Sequence, residues 1–273
     1  MTLNCNGKIL DFSSKKIMGI VNISDDSFFD GGKYNTIDKV IPHVHELIYN
    51  GADIIDVGGF SSKPGSKLIS AKEELEHISE FIVELISNFK NTIFSIDTYN
   101  SSVAEFALSE GFSIVNDISS GKYDLNMYNV VKEFNSGYIM MHMQGDPNNM
   151  QQNPEYGNVV ESIKSFFKKK IKELHNLNFS NIIIDPGFGF GKTVNHNYQI
   201  LKELESFKTL KRPIMVGFSR KSMISKVLNV DPNNALNGTT VLNTIALEKG
   251  ANIIRVHDVL EACQCKKLLE KLN

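Results

Sequence analysis

Ile182-Ile183-Ile184-Asp185-Pro186-Gly187 is a run of three β-branched residues that ends on a carboxylate and a turn. Such side chains pack well on a pleated surface, and a short apolar run closed this way suits a strand buried on both faces. Seven further segments repeat the design: Ile17–Val21, Asp53–Val57, Thr92–Ile96, Ser113–Val115, Tyr138–Met141, Pro213–Val216 and Asn252–Val256. Between them lie longer stretches with apolar residues at helical spacing, such as Val40, Val44, Leu47 and Ile48, or Leu75, Ile78, Ile82, Leu85 and Ile86. Eight strand–helix units of about 32 residues each fit from Ile17 onward, which predicts an α/β fold, a single-domain (β/α)8 TIM barrel over residues 17–273. A doubly wound open sheet uses the same alternation and is the competing architecture. Residues 1–16 read as a short N-terminal β extension, a strand pair placed to plug the barrel floor.

Composition narrows the function classes. The 273 residues are 41% hydrophobic and 22% charged, with 29 Lys+Arg against 31 Asp+Glu and a formal net charge of −2. This is ordinary globular usage, and it carries no cation surplus of the kind that marks nucleic-acid or anionic-membrane binding. The three cysteines, Cys5, Cys263 and Cys265, suit neither a disulfide framework nor a zinc site. They read as small packing residues in a reducing compartment. No apolar run reaches the ~20 residues of a membrane span, and Met1–Ile9 lacks a signal-peptide pattern. The expectation is a cytoplasmic protein that binds neither nucleic acid nor membrane.

In a barrel the active site lies at the carboxyl ends of the strands. The residues found there are Asn22, Gly58-Gly59, Asp97, Asn116-Asp117, His142, Asp185, Gly217 with Lys221, and Arg255 with His257-Asp258. Asp117 and Asp258 have a simpler reading as turn or helix-capping residues. The others converge on one pocket. Asp97, Asn116 and Asp185 supply acceptors and an amide, suited to a flat heterocycle bearing N–H and NH2 groups. Arg255, His257 and Asn22 become neighbours if the eighth strand closes on the first. Two potential cations and an amide suit a diphosphate, with Asn22 in reach of a shared magnesium ion. The segment Gly187-Phe188-Gly189-Phe190-Gly191-Lys192 lacks Walker spacing and reads as close backbone approach to a ligand. The tandem Phe28-Phe29 in Ser24–Gly32 suggests a connection that something covers.

These stretches resemble the dihydropteroate synthases of folate biosynthesis, from about Met18 to Asp258. Met18–Gly32 is similar to the family signature M-G-I-x-N-x-T-P-D-S-F-x-D-G-G, and Asp53–Gly65 to D-I-I-D-I-G-G-E-S-T-R-P-G. Ser95–Thr98, Asn116-Asp117, Met141–Gly145, Ile184–Lys192, Gly217–Ser222, Gly238–Thr240 and Arg255–Val259 match the remaining blocks in order. The resemblance implies that Asp97, Asn116 and Asp185 hold a pterin ring, with Lys221 at its edge and Met141, Phe190 and Gly217 around it. Asn22, Ser62, Lys63, Arg255 and His257 would hold the diphosphate of 6-hydroxymethyl-7,8-dihydropterin diphosphate, Asn22 sharing its Mg2+. Phe28, Ser62, Pro64, Lys221 and Ser222 would receive 4-aminobenzoate. Asp97, Asp185, Lys221 and Arg255 would be the catalytic set for an SN1-like displacement that releases diphosphate. A homodimer is implied as well, with Ala235–Glu248 contributing.

The chain departs from the family pattern at Asp25 (usually Pro), Phe29 (usually small and polar), Phe60 (usually Glu) and Lys63 (usually Arg). A lysine lacks the planar fork of arginine and is a less geometric anion clamp. Three rival readings remain at the level of sequence. A corrinoid methyltransferase shares the Asp/Asn ring contacts, a phosphate-handling aldolase shares the barrel, and a degenerate paralogue would bind pterin without turnover.

Overall fold

The computed structural model describes residues 1–23, 35–60 and 68–272. Strands β1 (Thr2–Cys5) and β2 (Lys8–Asp11) form an antiparallel hairpin. Eight parallel strands follow: β3 (Lys16–Asn22), β4 (Ile54–Gly58), β5 (Ile93–Asp97), β6 (Ile114–Asp117), β7 (Gly137–Met141), β8 (Ile182–Asp185), β9 (Met215–Val216) and β10 (Ile253–Val256). Their spatial order runs β8-β7-β6-β5-β4-β3-β10-β9, and a parallel bridge between Ile184 and Ile214 brings the two ends together. Neighbours in space are therefore neighbours in sequence around a ring. That is barrel connectivity, and it removes the doubly wound alternative.

Helices α1 (Ile37–Tyr49), α2 (Ala71–Asn88), α3 (Ser101–Glu110), α4 (Met127–Glu133), α5 (Val159–Asn176), α6 (Val194–Lys202), α7 (Ser222–Leu228), α8 (Leu236–Glu248) and α9 (Val259–Leu269) surround the strands. β9 is followed by two helices rather than one. Local chemistry sets the starts of these elements. Ser70 and Glu73 form a reciprocal capping box at α2, and Thr193 and His196 form one at α6. Gly111 ends α3 in the left-handed conformation, at φ 115°.

Alternation along the strands decides what the barrel contains. Ile17, Val21, Ile55, Val57, Phe94, Ile96, Val115, Met140, Ile184 and Val216 face outward and share a core with the helices. Met18, Ile54, Ile114, Ile139, Ile183, Met215 and Ile253 face inward as one apolar layer. Leu3, Cys5, Leu10 and Phe12 of the N-terminal hairpin pack beneath that layer. Two residues further along β4, β5, β6, β8 and β10 the inward positions turn polar, with Asp56, Ser95 and then Asp97, Asn116, Asp185 and Arg255, while Ile20 and Met141 keep β3 and β7 apolar there. A dry floor with a polar layer above it commits one end of the barrel to stability and the other to chemistry.

Candidate active site

The polar end holds a cavity of about 70 Å³ lined by Asp97, Asn116, Met141, Asp185, Phe190, Gly217, Lys221, Arg255 and His257, together with Ile20, Ile118 and Ser219. All nine of the first group are residues the sequence pointed to, from six strand ends and the β8–α6 and β9–α7 connections. Asn22 and Ser222 do not line it. Asn22 sits at the end of β3, level with Gly58, and Ser222 is the exposed first residue of α7 next to Lys221. Phe28, Ser62, Lys63 and Pro64 lie outside the described residues, as do Asp25 and Phe29.

Arg255 organises the cavity. Its Nε donates to Asp56 at 2.6 Å and its Nη2 to Asp97 at 2.8 Å. Asp56 also accepts from the Asn116 side-chain amide at 3.0 Å. Burial works against the Arg255 charge, but Asp56 and Asp97 outweigh it and hold the guanidinium above its ordinary range. Asp56 was missed in the sequence, where it passes as part of an apolar run. The signal was there: Ile54, Asp56 and Gly58 share the inward face of β4, and a carboxylate inside a barrel requires a cation.

The two carboxylates that line the cavity differ in their surroundings. Burial pushes Asp97 up to about 7, against Arg255 and with help from Asp56, Glu74 and Asp117. Burial also raises Asp185, opposed by Lys221, by a 2.8 Å hydrogen bond from the Gly187 N–H, and by Lys192 and Arg255. Lys221 donates to the Phe188 carbonyl at 2.6 Å and sits 4.8 Å from the Phe190 ring centroid. Burial pulls its pKa down to about 8, with Asp185 opposing. Asp97 and Lys221 thus change charge near neutrality, the property expected of a working site.

Four expectations need correction. His257 is held at about 3 by burial and by Arg255, so it is a neutral imidazole at pH 7 and not a second cation. Its Nδ1 lies 2.9 Å from Ser219 Oγ. His142 follows β7 but points outward, since Met141 takes the inward position. Its ring packs against Tyr156 and Phe166. Asp258 does not cap α9 with its side chain; it pairs with Arg220, whose Nη2 and Nε donate at 2.8 and 3.1 Å. Asp117 does close a turn, accepting from the backbone N–H groups of Ser119 and Gly121. Finally, the glycines after β8 make room chiefly for backbone. A Cβ on Gly187 would lie 2.1 Å from the His142 carbonyl oxygen, and one on Gly191 would lie 2.4 Å from that of Gln144.

Phe60, one of the departures from the family pattern, is 37% exposed. Its ring centroid lies 5.2 Å from that of His77, whose Nε2 meets the Ile23 carbonyl oxygen at 2.5 Å. Among the described residues no cluster of three or more His, Cys, Asp or Glu is placed to hold a metal ion, and no helix is long and apolar enough to cross a membrane.

What the cavity offers is a layer of acceptors for ring N–H groups beside cationic donors for an anion. Comparison with known proteins agrees with that chemistry. Residues 18–257 match the family model described as pterin binding enzyme. Dihydropteroate synthase of Escherichia coli is 38% identical over 272 residues, covering 99% of this chain and 96% of the relative. That of Clostridium beijerinckii is 41% identical over 257 residues, 93% of each. Among solved structures, Yersinia pestis dihydropteroate synthase in a sulfonamide complex superposes with a TM-score of 0.95 at 36% identity, covering 100% of this chain and 98% of the other. The Xanthomonas albilineans enzyme in complex with 7,8-dihydropteroate gives 0.87 at 28% identity, with coverage of 100% and 98%.

Proposed function

This chain belongs to the dihydropteroate synthases among the pterin-binding enzymes, and from that premise we infer how its own residues do the work. The reaction condenses 6-hydroxymethyl-7,8-dihydropterin diphosphate with 4-aminobenzoate to 7,8-dihydropteroate, a step of folate biosynthesis. The observation that carries the assignment of the site is the convergence of Asp97, Asn116, Asp185 and Lys221 with Arg255 in one cavity at the carboxyl ends of the strands.

Asp97, Asn116 and Asp185 take the N–H and NH2 edge of the pterin. An analogue without those donors would leave buried acceptors unpaired and be rejected strongly. Lys221 meets the opposite edge of the ring, and Met141, Phe190 and Gly217 shape the space around it. Arg255 and His257 face the diphosphate, the first as a charge and the second as a hydrogen-bonding imidazole. As the C–O bond to diphosphate lengthens, positive charge develops on the pterin methylene and negative charge on the leaving group. Carboxylates on one side and Arg255 on the other stabilise both ends of that separation. The aniline nitrogen of 4-aminobenzoate is neutral at pH 7 and attacks the methylene carbon without a general base, and the nitrogen then gives up its extra proton to water or to the departed diphosphate. Ser222, beside Lys221, is positioned on the exposed rim for its carboxylate, with Phe28, Ser62, Lys63 and Pro64 completing the substrate contacts.

Asn22 fits a magnesium role in one respect: its carboxamide oxygen is a hard donor of the kind Mg2+ takes together with phosphate oxygens and waters. Bound there, the ion would neutralise charge on the departing diphosphate. A homodimer would use the outward faces of α7 and α8, where Val227, Leu228 and Val241 are exposed while Leu242, Ala246 and Leu247 pack inward. Three free, buried cysteines accord with a reducing cytoplasm.

The test is diphosphate release by purified protein with the pterin diphosphate, 4-aminobenzoate and Mg2+, omitting each in turn. Release and dihydropteroate formation that require both substrates, and fall when Mg2+ is chelated, are expected. Pterin binding without turnover would defeat the reading.

A further inference from the structure

Lys192 is only 3% exposed, yet it forms no ion pair among the described residues. Its ammonium donates to three backbone carbonyls instead: Gly187 at 2.8 Å, Phe190 at 2.8 Å and His142 at 3.0 Å. All three ammonium protons are thereby used, and all three acceptors are neutral. Burying a charge against dipoles alone is expensive, and an apolar chain of the same length would fill the space with less desolvation cost. Burial accordingly pulls Lys192 down to about 7, and the group that opposes this is Asp185.

The three carbonyls belong to the connections that follow β7 and β8, so the ammonium stitches two neighbouring strand ends together. The link to Asp185 runs through one residue. The Gly187 N–H donates to the Asp185 carboxylate at 2.8 Å, and the carbonyl of the same residue accepts from Lys192. The same segment carries the Phe188 carbonyl that receives Lys221 and the Phe190 ring beneath it. Other side chains hold the same segment: Asn197 Oδ1 accepts from the Gly189 N–H at 2.8 Å, Tyr156 donates to the Gly191 carbonyl at 2.8 Å, and the fully buried Phe188 packs against Phe218. To these Lys192 adds three bonds from one ammonium, on both connections at once, where Gly187 and Gly191 lie so close to neighbouring backbone that no Cβ fits.

We propose that Lys192 is a positioning residue of the reaction, its ammonium fixing the Gly187–Gly191 segment and so setting Asp185 and Lys221 for the pterin ring. The inference rests on the assignment of the cavity to the pterin. Misplacing a binding group by about 1 Å is enough to cost ~100-fold in rate. Asp185 is assigned to the pterin alone and Lys221 to both substrates, so the role predicts a far larger effect on the pterin diphosphate than on 4-aminobenzoate.

Steady-state kinetics of the full chain, with both substrates varied, test it in Lys192→Met and in Lys192→Gln. The glutamine retains an amide donor for two of the carbonyls and guards against a methionine variant that does not fold. Expected is a rise of about 10- to 100-fold in KM for the pterin diphosphate, with KM for 4-aminobenzoate within about twofold of wild type. Lys192→Arg, which keeps the charge, should recover part of the loss. A lowered unfolding temperature with both KM values and kcat unchanged would mean that Lys192 only packs, and would overturn the proposal. So would equal rises in both KM values, the mark of a general collapse. Absence of turnover in the wild-type protein would remove the reading of the site, and this inference with it.

Discussion

Asp56 and Arg255 lie 199 residues apart in sequence and meet inside the barrel at 2.6 Å, carboxylate to guanidinium Nε. The second arm of the guanidinium reaches Asp97, so one arginine bridges a carboxylate that lines the cavity and one that does not. Asp56 is fully buried and holds Asn116 as well. Asp56→Ala leaves Arg255 with one partner and Asn116 with none. Removing one side of a buried pair costs about 3 kcal/mol. Urea unfolding should show a loss of that order, together with a fall in kcat/KM; stability within about 0.5 kcal/mol of wild type would mean that the pair is incidental.

Arg255→Lys separates charge from geometry. Lysine keeps the positive charge but cannot donate to Asp56 and Asp97 in one plane. Turnover should fall at least ~100-fold while the protein still folds, because a preorganised donor is lost where the leaving group develops charge. Near-normal kcat in this variant would show that charge alone suffices.

The pH dependence follows from opposed groups. Asp97, raised by burial to about 7, must be ionised to accept from the pterin, so kcat/KM should fall as pH drops through about 7. Lys221, lowered by burial to about 8, and Lys192, lowered to about 7, lose their charges as pH rises, which gives the alkaline limb. In Asp97→Asn the overall rate should drop and the acid limb should weaken. Ionisation of the substrate diphosphate is common to both proteins, so the difference between their profiles isolates Asp97. An acid limb of unchanged position and depth in the variant would assign it elsewhere.

Much of this site was legible because two periodicities sufficed to find it. Strand runs of Ile and Val placed Asp97, Asn116 and Asp185 at carboxyl ends, and barrel closure was expected to bring Arg255 beside Asn22 and His257; its bond to Asp97 was not read from the sequence. What stayed hidden depends on contacts across the ring or between connections. Nothing near Asp56 in sequence announces that Arg255 is its partner. Counting strand ends suggested that His142 faces the pocket, although the same alternation that puts Met141 inside turns His142 out. The glycines after β8 were recognised as sites of close approach, but which atoms approach them is a property of the β7 connection, Gln144 and the His142 carbonyl, and lies outside their own segment.

The Arg220–Asp258 pair supports the site from outside it. Arg220 takes φ 54°, an uncommon conformation for a residue with a side chain, immediately before Lys221. Its guanidinium donates to both oxygens of Asp258 and to the carbonyls of Pro232 and Asn233. These contacts hold the strained residue in place and fix where the next one starts. Asp258→Asn should lower the thermal unfolding midpoint by several degrees and raise KM for the pterin diphosphate by less than Asp97→Asn does. An unchanged midpoint would mean that the pair contributes nothing to the fold.

His142 makes a prediction about stability rather than catalysis. Burial, with Lys192 adding to it, holds its pKa at about 2 against an ordinary value of 6.5, and its buried Nδ1 has no hydrogen-bond partner among the described residues. The native state therefore refuses a proton that the unfolded chain accepts. The sign follows directly: native stability tied to His142 is complete above pH 6.5 and is lost as pH falls below it, at about 1.4 kcal/mol per pH unit. His142→Phe keeps a ring between Tyr156 and Phe166 and removes the titration. Between pH 7 and pH 5 the variant should lose about 2 kcal/mol less unfolding free energy than the wild type, measured by urea denaturation at each pH. Parallel losses in the two proteins would show that His142 is protonated in the folded state, and that its pocket is wetter than its packing against Tyr156 and Phe166 implies.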